Sequence, residues 1–295
     1  MATSSWCPTS DLRKWLGYGA AGIVFAVILG IASWAVMLAT GPQEGFHLAD
    51  ALSLVSMLPL GFAIAAYWKL GLATGSLGLR KSAVGFYGAS LLIELFDVHD
   101  STGARIALAI AAIILVIIVW TLKNPRTDGE EPQKSAAEGI GGGLVVLLLV
   151  GLKIFAKVGF LQAVPFELWV KGGIFLLAGI FVVWFAIVKI LLRRTLGGLS
   201  ALLGITELAA FVTGVVAASR LAVDIFQAVD RVGMNEKAME EAIQGVISSW
   251  LPSFVVGTII TQTLLAALTI GLFLKLRALC PLPPDPDLEA ITARK

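Results

Sequence analysis

Long apolar runs set the terms for this chain, because a segment of about 18 or more such residues has few places to go other than the interior of a bilayer. A hydrocarbon core about 30 Å thick and a rise of about 1.5 Å per residue call for about 20 residues in each helical span. Eight runs approach or exceed that length, at 15–40, 51–72, 82–98, 104–123, 139–164, 166–192, 195–219 and 251–277. Composition agrees: 58% of the residues are hydrophobic and 14% charged, against about 25% charged in an ordinary soluble domain. The expected fold is an all-α integral membrane protein with eight transmembrane helices. A β-barrel would need strands of about ten residues with alternating lipid-facing and lumen-facing side chains, and the runs do not alternate.

Orientation follows from Lys and Arg. With the amino terminus in the cytoplasm, the inner ends and loops collect Arg13, Lys14, Lys69, Arg80, Lys81, Lys123, Arg126, Lys134, Lys189, Arg193, Arg194, Lys275 and Arg277, most of the 22 cations of the chain. This satisfies the positive-inside rule with both termini cytoplasmic. Trp15, Trp68 and Trp120 then fall at the inner interface and Trp169 and Trp250 at the outer one, while Trp34 and Trp184 sit deeper as packing residues. The polar segment before Trp15 leads into a span too long for a signal-peptide core.

A second pattern lies inside the runs. RRTLGGLSALLGITELAA, beginning at Arg193, aligns without a gap on RKSAVGFYGASLLIELFD, beginning at Arg80. Arg80 falls on Arg193, Gly85 on Gly198 and Glu94 on Glu207. A fainter echo relates the glycines of the first run to those of the fifth. The expectation is two tandem four-helix units, 1–123 and 139–279, in the same orientation and joined by the Pro-, Gly- and charge-rich cytoplasmic linker 124–138. A Pro-rich cytoplasmic tail, 280–295, follows. Cys7 and Cys280 are expected in the two cytoplasmic tails as reduced thiols without a redox or metal role.

One insertion breaks the symmetry. Within 220–249, Leu221, Ile225, Phe226 and Val229 form an apolar stripe against Asp224, Gln227, Asp230 and Arg231. Gly233 and Asn235 then punctuate, with Asn235 placed to cap a second helix. An amphipathic outer helical hairpin is expected here, suited to the lipid surface, to a cavity or to a protein partner.

Charges within spans point toward function, since each costs about 2.5–3.5 kcal/mol on insertion scales and therefore seeks a partner or water. Glu207 lies fourteen residues past Arg193, about 21 Å along its helix, and Lys153 lies equally far past residue 139 on a helix running the same way. Lys153 with Glu207 is the expected buried ion pair, with Glu94 the second choice of acid. Asp97 shares a helix face with Glu94, so these two acids either stand in water or line a polar cavity. A carboxylate buried without a cation is the kind of group that carries a proton, which makes Glu94 with Asp97 the expected proton site. Gln262, one turn from Thr258, is a further candidate on the ion pathway or a simple interhelical hydrogen-bonding group.

Several chemistries are set aside. Two histidines do not supply paired haem ligands within the bilayer, and Asp97, His99 and Asp100 make a poor metal set, so no metal and no cofactor is expected. GxxxxGK[ST], HExxH and GxSxG are all missing, and the net charge of +2 gives no reason to expect nucleic acid. The chain is therefore read as a non-enzyme whose partner is the lipid bilayer. Two functions stay open: a proton- or ion-coupled secondary carrier, or a structural or accessory subunit that docks a protein through the outer hairpin 220–249.

Overall fold

The computed structural model describes residues 9–40, 48–98, 102–122, 166–232 and 236–281, and every regular element among them is a helix. They are α1 (Ser10–Thr40), α2 (Leu48–Ala73), α3 (Leu77–Val98), α4 (Thr102–Thr121), α5 (Phe166–Leu191), the single turn α6 (Arg193–Leu196), α7 (Gly198–Val232) and α8 (Glu236–Leu279). The expected fifth span at 139–164, with Lys153, lies outside the described residues, as do the linker 124–138 and residues 282–295. Five helical segments are long and apolar enough to cross a membrane: Ser10–Thr40, Leu48–Ala73, Gly172–Leu191, Gly198–Val232 and Lys237–Leu279. The chain is a multi-pass helical membrane protein.

Local chemistry explains where these helices begin and turn. Thr9 and Ser76 cap α1 and α3, their hydroxyl oxygens accepting from the backbone N–H of Leu12 (3.1 Å) and Leu79 (3.2 Å). Gly75 and Gly197 have φ of +66° and +87°, a backbone conformation that a Cβ disfavours, and they make the turns from α2 to α3 and from α6 to α7. Pro59 lies inside α2 and lacks the N–H that would otherwise bond back along the helix. Its carbonyl lies hard against α1: a Cβ added at Gly22 would collide with the Pro59 oxygen.

The helices close into a ring. α1 packs on α2, α2 on α3, α3 on α5, α5 on α7, α7 on α8 and α8 back on α1, with α4 outside against α3. The main apolar core runs through them, drawing Leu16 from α1, Tyr67 and Leu70 from α2, Ala83 from α3, Phe181 and Phe185 from α5, Leu203 from α7 and Phe273 from α8, and a smaller cluster of Leu92, Leu108 and Ile174 joins α3, α4 and α5. The described helices of the two expected four-helix units thus share one core. Residues aligned by the internal repeat also differ in surroundings. Gly85 lies against the Phe181 ring whereas nothing lies near Gly198, and Arg80 is buried over Trp68 whereas Arg193 is exposed.

Cations gather at one end of the ring. Lys69 pairs with Asp11 at 2.8 Å beside Trp15, Arg80 stacks at 4.3 Å on Trp68, and Lys81 donates to the Trp120 carbonyl at 3.3 Å. At the same end Arg13 donates to the carbonyls of Arg277 (3.2 Å) and Cys280 (2.9 Å), holding the start of α1 to the end of α8. Carbonyls of a last turn have no partner within their own helix, and Arg13 supplies one.

The outer hairpin differs from the sequence expectation. Segment 220–249 is not a separate pair of amphipathic helices, because α7 continues unbroken to Val232 and α8 starts at Glu236 and runs unbroken into the membrane segment. With 35 and 44 residues they extend about 52 and 66 Å, well beyond a core about 30 Å thick. The apolar stripe at 221–229 keeps the helical period of the span before it, so nothing in it stops the helix. The indole N–H of Trp250 donates to Asp224 at 3.0 Å and ties the two extensions together.

Candidate charged site at the centre of the ring

Glu207 has a partner, and it is Lys189. The two form an ion pair between α7 and α5 in which the Lys189 side chain is 1% exposed and that of Glu207 15%. Helix geometry brings them together. The turn at α6 makes α5 and α7 antiparallel neighbours, and each Cα–Cβ bond tilts toward the amino terminus of its own helix. Glu207 therefore leans back toward the turn and Lys189 leans away from it, so the two side chains converge. The hydroxyl of Ser200 donates to the Lys189 carbonyl at 2.8 Å, which fixes the level of α7 against the last turn of α5. Gly204 lets the helices approach, since a Cβ there would collide with the Ala186 carbonyl.

Aromatic rings complete the surroundings of the ammonium. Lys189 Nζ stands 3.5 Å from the centroid of Phe185 and 4.9 Å from that of Tyr67, distances at which the negative faces of the rings attract a cation. Tyr67 belongs to α2 and reaches across the ring of helices, its own ring 4.9 Å from Phe185 and 4.9 Å from Phe273 of α8. Four helices thus meet at one buried charge: α5 with Lys189 and Phe185, α7 with Glu207, α2 with Tyr67 and α8 with Phe273 behind it.

Two buried polar atoms at this place, Glu207 Oε2 and the Tyr67 hydroxyl, have no hydrogen-bonding partner among the described residues. The Tyr67 hydroxyl faces Thr269 and Glu207 without a hydrogen bond of normal geometry, and the Thr269 hydroxyl donates instead to the Leu265 carbonyl at 2.8 Å. One carboxylate oxygen holds the ammonium, while the second, together with a phenol, is left with unused capacity. Buried groups of this kind cost about 1–3 kcal/mol each when left unsatisfied.

The other sequence candidates lie elsewhere. Glu94 of α3 is half-buried and accepts from the Ser53 hydroxyl of α2 at 2.7 Å. Gln262 of α8 lies beside Gly30 of α1, in the interface between those two helices. The side chain of Asp97 and all of Lys153 are outside the described residues. Among the described residues no three His, Cys, Asp or Glu side chains are grouped to hold a metal ion.

Sequence reading missed Lys189, Tyr67, Phe185 and Thr269. Lys189 was assigned to the inner surface because it lies two residues from the end of its helix. Lys189 and Glu207 lie eighteen residues apart on either side of the α6 turn, and the opposite tilts of side chains on antiparallel helices bring the two together. No family model matches this sequence, and neither do the curated proteins or the solved structures.

Proposed function

We propose that this protein is a secondary carrier driven by a proton or another cation, with Glu207 and Lys189 as its coupling pair. The buried pair at the centre of the ring carries the reading. A charge pair within a membrane is costly to keep, and here it stands where four helices meet, with a carboxylate oxygen and a phenol unused beside it. Helices that pack around an exchangeable charge have a reason to shift when that charge changes. Eight spans and cytoplasmic termini belong to the same proposal: Arg13, Lys69, Arg80, Lys81, Lys275 and Arg277 come from segments that meet at one end of the ring, and the positive-inside rule assigns that end to the cytoplasm. Glu94 with Asp97, the proton site expected from the sequence, stands second in this reading, acting through the α2–α3 contact at Ser53.

The test is flux. Protein reconstituted into vesicles that enclose a pH-sensitive dye is challenged in turn with sodium, potassium and alkylammonium salts. At least one is expected to move protons in the wild type, and Glu207→Gln to abolish that movement. Proton movement that survives in Glu207→Gln and disappears in Glu94→Gln would transfer the role to Glu94.

A second reading rests on a different observation. Beyond residue 219, α7 and α8 expose Val223, Phe226, Val232 and Ile247, with Phe226 71% exposed, and these residues lie past the length a span needs. They suit an accessory subunit that docks a partner there. Loss of a co-purifying protein on removal of residues 221–249, with no cation moving protons in the vesicles, would favour it.

A further inference from the structure

We infer that Glu207, Phe185 and Tyr67 form a binding site for a primary alkylammonium group, in which the side chain of Lys189 is a tethered occupant that a free ammonium replaces. The inference rests on reading the pair as the working site, and it adds a substrate class and an exchange.

The argument starts from what surrounds the ammonium. A carboxylate on one side and two aromatic faces at 3.5 and 4.9 Å are the surroundings that select an organic cation over a small hydrated ion, because the rings take the place of water without offering it lone pairs. Lys189 is held by its Nζ and is otherwise a four-carbon stem among apolar side chains, so n-butylammonium copies it from Cβ outward. A free ligand has something to gain that Lys189 leaves unused. Glu207 Oε2 and the Tyr67 hydroxyl are both buried at this place without partners among the described residues, and a ligand bearing a second polar group can reach them.

Exchange must conserve charge at this depth. One carboxylate cannot hold two ammonium groups without leaving a net positive charge in the bilayer, so the incoming cation requires that Lys189 become neutral. Its Nζ–H bond breaks and the proton leaves to solvent, the electron pair stays on Nζ, and the incoming ammonium takes the place of the lysine ammonium on Glu207. On release the steps reverse. Binding of one cation is thereby tied to loss of one proton, which is the coupling an exchanger needs. The groups that face Lys189 allow this. Glu207 comes from α7 and Tyr67 from α2, while α3 presents Phe86 stacked behind Phe185, and α8 presents Phe273 and Thr269 beside Tyr67. Arg80 is turned onto Trp68, and Lys275 lies beside Gly197 at the turn.

The experiment is calorimetric titration of the detergent-solubilised full chain with n-butylammonium chloride, in two buffers of different ionisation enthalpy and against sodium chloride of equal strength. Wild type is expected to release one proton per ammonium bound, with affinity rising about tenfold per pH unit while Lys189 is protonated. Lys189→Ala should bind more tightly, because no tethered ammonium competes for Glu207. Glu207→Gln should not bind. If that variant fails to fold, Phe185→Leu serves in its place, with affinity expected to fall several-fold at an unchanged proton count. Binding without proton release in the wild type, binding confined to Lys189→Ala, or equal response to sodium chloride would each overturn the inference. Absence of flux with this exchange intact would instead remove the carrier reading alone.

Discussion

Lys189 shows how much one residue depends on its neighbours. Its ammonium is out of water, and what offsets the desolvation is one carboxylate plus two ring faces, the latter worth about 2 kcal/mol together when desolvated. Removing one member of such a pair strands the other, and the loss of about 3–5 kcal/mol is much larger than the net value of the pair itself. Lys189→Met and Glu207→Gln should each lower unfolding stability in detergent by that order, and the double variant should recover most of it. Strictly additive losses would mean that the two charges do not depend on one another. At the end of the ring, burial pushes the Cys280 thiol up, with the Arg13 guanidinium working against the shift. The folded state thus favours the neutral thiol, and the stability this contributes is complete below the ordinary thiol range and lost as pH rises through the raised value. In a Cys7→Ser background, maleimide should label Cys280 slowly at pH 8 and faster as pH climbs further. Labelling at pH 8 as fast as a free thiol's would count against a buried Cys280 under Arg13.

At the scale of helices, the sequence was legible wherever apolar length alone decides. α1, α2, α5 and the membrane part of α8 lie where their runs place them, and the α6–α7 turn falls at Gly197 because glycine tolerates its φ of +87°. Ends were harder to read. The polar and charged residues of 220–249 suggested a change of element at 220, but the helix continues to Val232, and from Glu236 α8 runs without a break into its membrane segment. Side-chain partnership was least legible, because it depends on which helices become neighbours. The distance of Glu207 along its helix selects a level and not a neighbour, and Lys189 reaches that level by leaning away from its own helix end. Close approach is what holds this geometry. Gly22→Leu and Gly204→Leu each put a side chain into a backbone carbonyl of the facing helix, and overpacking of this kind costs about 1–3 kcal/mol. The two should differ in consequence: the first loosens α1 from α2, whereas the second also parts Lys189 from Glu207. Thermal unfolding in detergent should report both, and n-butylammonium titration should change only for Gly204→Leu.

The whole molecule joins these scales through Tyr67. It is anchored in α2 near the cationic end, and its ring crosses to α5 and α8 while its hydroxyl faces α7, so a change at the pair is felt on three other helices. Contacts at that end hold the ring closed through Arg13 on α8 and Lys69 on Asp11. Under the proposed carrier reading, a ring fastened at one end around an exchangeable charge has the parts needed to open on the other side. The double variant Lys189→Met with Glu207→Gln separates support from work, since it restores neutrality and packing while removing every exchangeable proton from the pair. The decisive measurement is therefore cation-dependent proton flux in vesicles containing this double variant, normalised to folded protein. The account predicts recovery of most of the wild-type stability and no flux, and flux at the wild-type rate would contradict it.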